Sequence, residues 1–324
     1  MKYLVTGASG FIGSCLVDRL LANGHEVIGV DNFSTGIREY LSNAYEHPCF
    51  KLIEGDLLNS SLLDNVLPGV DAVYHFAANA DIKGGLLSPK RDLEQNTIVT
   101  FQLLEAMRRV NVFRIIFASS AAVLGEPTIF PTSENCSTPI QTSLYGASKM
   151  ACEGLISAYC EGHGFEGYVF RFVSLLGPRY PHGHVYDFVK QLIIDPENLI
   201  VLGDGTQRKS YMHIEDCLDA VLQISIEQRT AASAKHNFEV YHLGFPDYCH
   251  VKNSVEWICS ELKLEPKVKY GIGNRGWIGD NPFVFLDVSK AKAVGWSPRF
   301  GIEQSVRITA RWLIDNKWVF SVRS

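Results

Sequence analysis

The chain of 324 residues is 46% apolar, 20% charged and 11% aromatic, with 30 Lys and Arg against 35 Asp and Glu. That composition belongs to a globular protein and excludes disordered, collagenous and disulfide-framed chains. The formal net charge is −5 and no basic run exceeds Arg108-Arg109 or Arg208-Lys209, so no footprint for a nucleic acid exists, and no apolar run reaches the roughly 18 residues of a membrane-spanning helix. Met1-Lys2 leads directly into Tyr3-Leu4-Val5, a strand rather than the apolar core of a leader, so the cytoplasm is the expected compartment. The eight Cys show no CxxC spacing and read as reduced packing residues.

Through about residue 170, short β-branched runs alternate with helical patterns, the signal for a parallel sheet with crossover helices. Strands are predicted near 2–6, 25–30, 50–54, 71–76, 113–118 and 166–171. Leu16, Leu20 and Leu21 share one helical face, and Ile98, Phe101, Leu104 and Met107 share another on a long helix predicted over 89–109. The result is an α/β doubly wound sheet. After Arg171 the pattern changes: Gly177-Pro178 and Pro181-His182-Gly183 punctuate a loop, and shorter elements follow up to Trp312, as suits a smaller lobe. The expected domains are 1–173, with segments around 205–245 returning to it, and a lobe mainly over 174–324. Trp257, Trp296 and Trp312 lie in or beside periodic stretches and read as core.

Gly7, Gly10 and Gly13 lie between the first strand and the first helix, where missing side chains let a pyrophosphate approach backbone N–H groups at the helix N-terminus. Asp31 ends the second strand; a carboxylate there accepts ribose hydroxyls and repels a 2′-phosphate, which favours NAD over NADP. Asp56 ends the third strand, either to meet an adenine amino group or to cap the next helix. The strand near 113–118 delivers Ser119-Ser120 to its C-terminal end, as a substrate-orienting hydroxyl or as a loop cap. Tyr145 and Lys149 stand four apart on one face of a helix starting near Ser143. A phenol working as a base at neutral pH needs its pKa lowered by roughly three units, and Lys149 is the cation placed to help.

These residues resemble the extended short-chain dehydrogenase/reductase family, in its nucleotide-sugar epimerase and dehydratase branch, closest to UDP-glucose (UDP-galactose) 4-epimerase-like members. The resemblance runs through Gly7–Gly13, Asp31-Asn32-Phe33-Ser34-Thr35-Gly36, Gly55-Asp56-Leu57, His75-Phe76-Ala77-Ala78, Asn96, Ser119-Ser120, Tyr145 with Lys149, Arg208-Lys209-Ser210-Tyr211 and Gly279-Asp280. It implies a Rossmann-type sheet with a smaller C-terminal substrate-binding lobe and NAD as cofactor. NAD would be held by Gly7, Gly10, Phe11, Ile12, Gly13, Asp31, Asn32, Ser34, Thr35, Gly36, Asp56, Leu57, Phe76, Ala77, Ala78, Asn96, Tyr145, Lys149 and Phe172. Ser120, Tyr145 and Lys149 would form the catalytic triad, Ser120 being preferred because it lies five residues before Gly125 as in epimerases of the family.

Family dehydratases carry an Asp-Glu pair directly after the active-site hydroxyl residue, and family decarboxylases keep a Glu at the second position; here these positions are Ala121 and Ala122. Without carboxylates there, water elimination lacks its acid and base, whereas 4-epimerisation through a transient 4-keto sugar needs neither. The expected activity is therefore an NAD-dependent nucleotide-sugar 4-epimerase of the UDP-glucose/UDP-galactose type, including N-acetylated sugars. The alternatives are a nucleotide-sugar C4 dehydrogenase/reductase, a 4,6-dehydratase, or a catalytically silent dinucleotide sensor.

Substrate contacts implied by the resemblance are Ser120, Ser174, Val185, Arg208, Lys209, Tyr211, Arg275 and Asp280, with Val284 gating the C2 substituent. Trp277 stands where the family's diphosphate-binding Arg is usual, which leaves Arg275, Arg208 or Lys209 to neutralise the diphosphate. Asn96 matches an Asn beside the family active site, or is a buried amide bonded to backbone. His182 and His184 lack a third ligand and read as loop residues, with no metal site. A homodimer joined by the helices near 89–109 and 143–161 is also implied, with Leu103, Leu104, Leu155 and Ile156 facing either a partner or the sheet.

Overall fold

The computed structural model describes residues 1–322 apart from 138–139, 228–236 and 277–280. Seven strands form the main sheet: β1 (Lys2–Thr6), β2 (Glu26–Asp31), β3 (Phe50–Glu54), β4 (Ala72–His75), β5 (Arg114–Ser120), β6 (Glu166–Phe172) and β7 (Phe238–Leu243). Their spatial order is β7-β6-β5-β4-β1-β2-β3. The β1 strand pairs in parallel with β2 and β4, so the winding direction reverses at its C-terminal end, where doubly wound sheets bind ligands. The six strands expected in the first 171 residues all form, with ends shifted by two residues or fewer. Nearly continuous apolar runs such as Tyr3-Leu4-Val5 and Ala72-Val73-Tyr74 are fully buried, as parallel strands covered on both faces require.

The crossover helices that position the site are α1 (Phe11–Ala22), α2 (Ser60–Val66), α3 (Val99–Arg109) and α4 (Leu144–His163). Leu103, Leu104 and Met107 of α3 and Cys152 and Ile156 of α4 join Leu4, Val73, Ile115 and Phe117 in one buried cluster. Each such aliphatic side chain contributes about 1.5–3 kcal/mol by burial. Leu103, Leu104 and Ile156 thus face this chain's own sheet, and Leu155 packs beside them. Trp296 is buried and donates to the Asp216 carbonyl (3.0 Å), while Trp257 and Trp312 are half-buried.

The helix expected over 89–109 is not continuous. It consists of a short turn Pro89–Asp92, a π-helical turn Leu93–Ile98 and α3. From the first turn of α3, Thr100 Oγ1 donates back to the Asn96 carbonyl of the wide turn (2.7 Å), and the Asn96 amide turns inward to bond other elements. A π turn inside a helix of this kind commonly marks a functional site.

The chain divides into two compact units. The first is 1–125, 137–171 and 221–241; the second is 126–136, 172–220 and 242–324. The second unit contains the parallel pair Ser174–Leu176 with Tyr211–His213, and a three-stranded sheet in which Arg208–Lys209 lies between Cys249–His250 and Phe283–Val284. Among the described residues no helix is long and apolar enough to cross a membrane.

Candidate active site

The glycine loop is shaped by contacts that exclude side chains. Gly7 has φ +68°, and a Cβ there would stand 2.7 Å from the Ala77 backbone nitrogen. A Cβ on Gly13 would collide with the Gly7 carbonyl, so the start of α1 rests directly on the loop. Gly10 caps α1 with no side-chain bond to its first-turn amides, while the Gly10 amide itself bonds Gly7 O at 3.1 Å. Phe11 and Ile12, in that first turn, are half-buried.

Asp31 is buried and accepts from the Ser9 amide (2.9 Å) and the Phe33 amide (2.8 Å), one on each oxygen. Each oxygen keeps a lone pair for a ribose hydroxyl. Gly36 lies against the same carboxylate, its position for a Cβ only 2.7 Å from Asp31 Oδ1. Ser9 Oγ, also beside Gly36, is buried with no hydrogen-bond partner. An anion-accepting helix start, a ribose-accepting carboxylate and an unmatched buried hydroxyl fit a dinucleotide.

Asp56 accepts from Asn32 Nδ2 (2.9 Å) and from the Leu58 amide (2.8 Å). It is not the cap of α2; that role belongs to Asn59, which accepts from the Ser61 amide at 3.1 Å. Leu57 is buried, and Ser34 and Thr35 sit exposed in the loop after β2. Phe76, Ala77 and Ala78 follow β4, and the Ala77 amide donates to Thr6 Oγ1 at 3.2 Å. Phe172, at the end of β6, is buried.

Ser119 and Ser120 end β5 with different partners, as alternation along a strand demands. Ser119 Oγ donates to Glu153 Oε1 (2.5 Å), and Glu153 forms a buried ion pair with Arg171 (2.7 Å). Ser120 accepts the Ala122 amide (3.1 Å) and hydrogen-bonds the Tyr145 phenol, so of the two hydroxyls it is the one that faces Tyr145 rather than Glu153. Ser143 caps α4 by accepting from Gly146 N (3.0 Å), which sets Tyr145 and Lys149 in the first two turns.

Lys149 is buried, donates to the Ala118 carbonyl (2.9 Å) and lies 4.6 Å from the Phe117 ring centre. Burial pulls its ammonium down to about 8. Burial also pushes Tyr145 up to about 12, the Ser120 hydroxyl opposing this and Asp92 adding to it. The Ser120 hydroxyl is the group that draws the phenol down, while the Lys149 ammonium, one helical turn away, donates to the β5 backbone.

Asn96 is taken up internally. Its Oδ1 accepts the Asn79 amide (2.9 Å) and its Nδ2 donates to Ser148 Oγ (2.8 Å), so the structure makes it a brace beneath the site rather than a free cofactor contact. Beside it His75 is fully buried, bridging Thr6 Oγ1 (2.8 Å) and Thr100 Oγ1 (3.0 Å). Burial and Lys149 press its imidazole down to about 3, so it stays neutral. Sequence reasoning missed Asn79, Asp92, Thr100 and Ser148 as parts of this brace; the spacing of Asp92 and Asn96, four apart, was the available signal.

In the second unit Ser174 is exposed, Val185 and Tyr211 are buried, and His184 stacks on Tyr211 at 4.8 Å between ring centres. Arg208 lies over the Phe283 ring at 3.8 Å and Lys209 donates to the Asn281 carbonyl. Arg275 makes a two-pronged ion pair with Glu126 (2.7 and 2.8 Å), so it is not a free cation for a diphosphate. Val284 is half-buried and pairs in register with Lys209. Trp277 and Asp280 lie outside the described residues. Among the described residues no group of three or more His, Cys, Asp or Glu side chains is gathered for a metal.

Residues 3–244 match the NAD dependent epimerase/dehydratase family. The chain belongs to that family. The family's cofactor agrees with NAD as read from Asp31. A UDP-glucose 4-epimerase of Corynebacterium glutamicum is 30% identical over 99% of this chain and 96% of its own length. A crystal structure of a UDP-galactose 4-epimerase is 33% identical with a TM-score of 0.87, covering 98% of this chain and 100% of that one. A UDP-glucuronic acid 4-epimerase from Bacillus cereus, solved with UDP-4-deoxy-4-fluoro-glucuronic acid and NAD, is 26% identical with a TM-score of 0.87 over 97% of this chain and 99% of that one.

Proposed function

We propose that this family member is an NAD-dependent UDP-sugar 4-epimerase of the UDP-glucose/UDP-galactose type, acting through a transient 4-keto sugar. One observation carries the choice within the family: the hydroxyl that bonds Tyr145 is followed directly by Ala121 and Ala122, in a 3₁₀ turn with no carboxylate of its own. A base for C5 and an acid for a leaving hydroxyl are therefore missing at those positions, while exchange of one C4 proton and one hydride needs only the phenol and its partners.

When bound, NAD supplies a hydride acceptor that returns what it takes. Gly7, Gly10, Gly13 and the open first turn of α1 would hold its pyrophosphate, and Asp31 a ribose. Tyr145 Oη takes the C4 hydroxyl proton and later restores it. Ser120 Oγ, already bonded to that phenol, holds the same sugar oxygen and stabilises the phenolate. Lys149 keeps a positive charge at the foot of the strand and anchors α4 to Ala118. Arg208 and Lys209 are the candidates for the diphosphate, and Val284 for the C2 substituent.

The test is proton NMR in deuterated buffer with UDP-galactose, UDP-N-acetylglucosamine and UDP-glucuronic acid in turn and only catalytic NAD. The expected product is the C4 epimer with hydrogen retained at C5. A 4-keto-6-deoxy product, loss of carbon dioxide or stoichiometric reduction of NAD would refute the reading. A homodimer through the helices of 89–109 and 143–161 is also proposed, with the exposed Leu93, Ile98 and Phe101 offered to the partner, since Leu103, Leu104 and Ile156 face the sheet. Light scattering at micromolar concentration checks it, a monomer counting against it.

A further inference from the structure

Asp92 belongs to none of the motifs above, yet it is 1% exposed, an unusual state for a carboxylate. Its Oδ1 accepts from Asn79 Nδ2 at 2.8 Å. Its Oδ2 is buried with no hydrogen-bond partner. The wall facing that oxygen is Gly85, where a Cβ would stand 2.5 Å from Oδ2 and 4.0 Å from Cβ of Leu144, the residue before Tyr145. The carboxylate is thus seated close under the first turn of α4.

From Oδ1 a continuous chain of hydrogen bonds leads to the catalytic helix. Asn79 N donates to Asn96 Oδ1 (2.9 Å), Asn96 Nδ2 donates to Ser148 Oγ (2.8 Å), and Ser148 Oγ donates to the backbone carbonyl of Tyr145 (2.8 Å). Every link is buried. We propose that Asp92 is a positioning residue for Tyr145: one carboxylate oxygen fixes the helix turn that carries the phenol, and the other holds a negative charge near it that restrains phenolate formation.

The inference rests on Tyr145 being the base. Groups facing Asp92 are Asn79, Asp81 and Arg91; burial raises its pKa, Asn79 and Arg91 oppose this and Asp81 reinforces it. Groups facing Tyr145 are Ser120, Asp92 and Cys152, with Lys149 one turn along the same helix. Asp92 adds to the rise in the phenol's pKa, as a like charge must. A base works deprotonated, so its rate climbs as pH rises through its pKa. Removing the Asp92 charge moves that acid limb to lower pH.

Asp92→Asn is nearly isosteric, keeps an acceptor for Asn79, and puts an amide nitrogen where no partner exists to be lost. The experiment is the pH profile of kcat/KM with the interconverted UDP-sugar, alongside an ultraviolet phenolate titration read as the difference from a Tyr145→Phe background. The expected result is an acid limb displaced downward, with rates on that limb raised roughly 3- to 10-fold and the plateau kept within about twofold. A folded, active Asp92→Asn protein whose limb and phenolate titration coincide with the unsubstituted enzyme overturns the inference.

Gly85→Ala provides a second test that leaves every linked group chemically intact, because its methyl dislodges Oδ2. It is expected to lower kcat roughly 3- to 10-fold while KM stays within about twofold. An unchanged kcat overturns the anchoring half. Tyr145→Phe separates the layers: if it remains active the base assignment itself fails, whereas an inactive Tyr145→Phe with unmoved Asp92→Asn and Gly85→Ala profiles refutes Asp92 alone.

Discussion

The two units treat their candidate site residues differently. In the first, Asp31, Ser119, His75, Asn96 and Lys149 are all buried and bonded to named partners. In the second, Arg208 rests on an aromatic face, and Arg275 is paired with Glu126 through side chains about 40% exposed. Buried, satisfied networks hold one geometry, because each broken link strands a desolvated group. Exposed pairs are worth little and exchange partners readily. On the proposed function, the proton-handling groups are built into the fold, whereas Arg208 and Arg275, unlike the buried Val185 and Tyr211, can be changed at small cost to it.

The sharpest break would come from Tyr145→Phe, expected to lower kcat by roughly 10²–10⁴ while NAD content of the purified protein is unchanged; retention of a tenth of the activity would remove the first unit's claim to the chemistry. Next in size is Glu153→Ala, which leaves Arg171 and Ser119 without their buried partner. A loss of about 3–5 kcal/mol in denaturant unfolding is expected, and less than about 1 kcal/mol would show this network to be dispensable.

Acid stability sharpens the contrast further. His75 keeps its neutral form in the folded state down to about 3, while the unfolded chain takes up a proton below the usual imidazole value. Stability is therefore lost as pH falls through about 6.5, by at most about 1.4 kcal/mol per pH unit from this group. His75→Gln should flatten the fall in thermal midpoint between neutral pH and pH 4; an identical slope would show that the buried imidazole is not the proton acceptor withheld by folding. The smallest effect belongs to Glu126→Gln, which loosens Arg275 in the second unit. Stability should change by less than about 1 kcal/mol, with any change in kinetics confined to KM for the nucleotide sugar.

Much of the first unit was legible because its signals are local. A run such as Tyr3-Leu4-Val5 and a glycine turn before an amphipathic helix have few other uses, and Ser143 before Leu144 is a sound helix start. What was hidden depended on partners distant in sequence. Nothing in Leu93–Ile98 contains a Gly or Pro to announce a π turn; it exists because Asn96 and Thr100 find partners across the fold. The spacing to Gly125 already favoured Ser120, but the partner that occupies Ser119 is Glu153, 34 residues beyond it, and the loss of Arg275 as a free cation needed Glu126, 149 residues away. The helix face likewise gave the proximity of Lys149 to Tyr145 but not the Ala118 carbonyl to which the ammonium donates.

The chain leaves and re-enters its first unit repeatedly, and the edge strand β7 comes from Phe238–Leu243. During synthesis the ribosome must therefore release residue 243 before the main sheet is complete, although the strands carrying Asp31 and Ser120 emerge long before. Until then β6 presents an unpaired edge of backbone donors and acceptors. The nascent protein is expected to need shelter over that interval, and the last strand added, far from the chemistry in sequence, closes the sheet on which that chemistry is mounted.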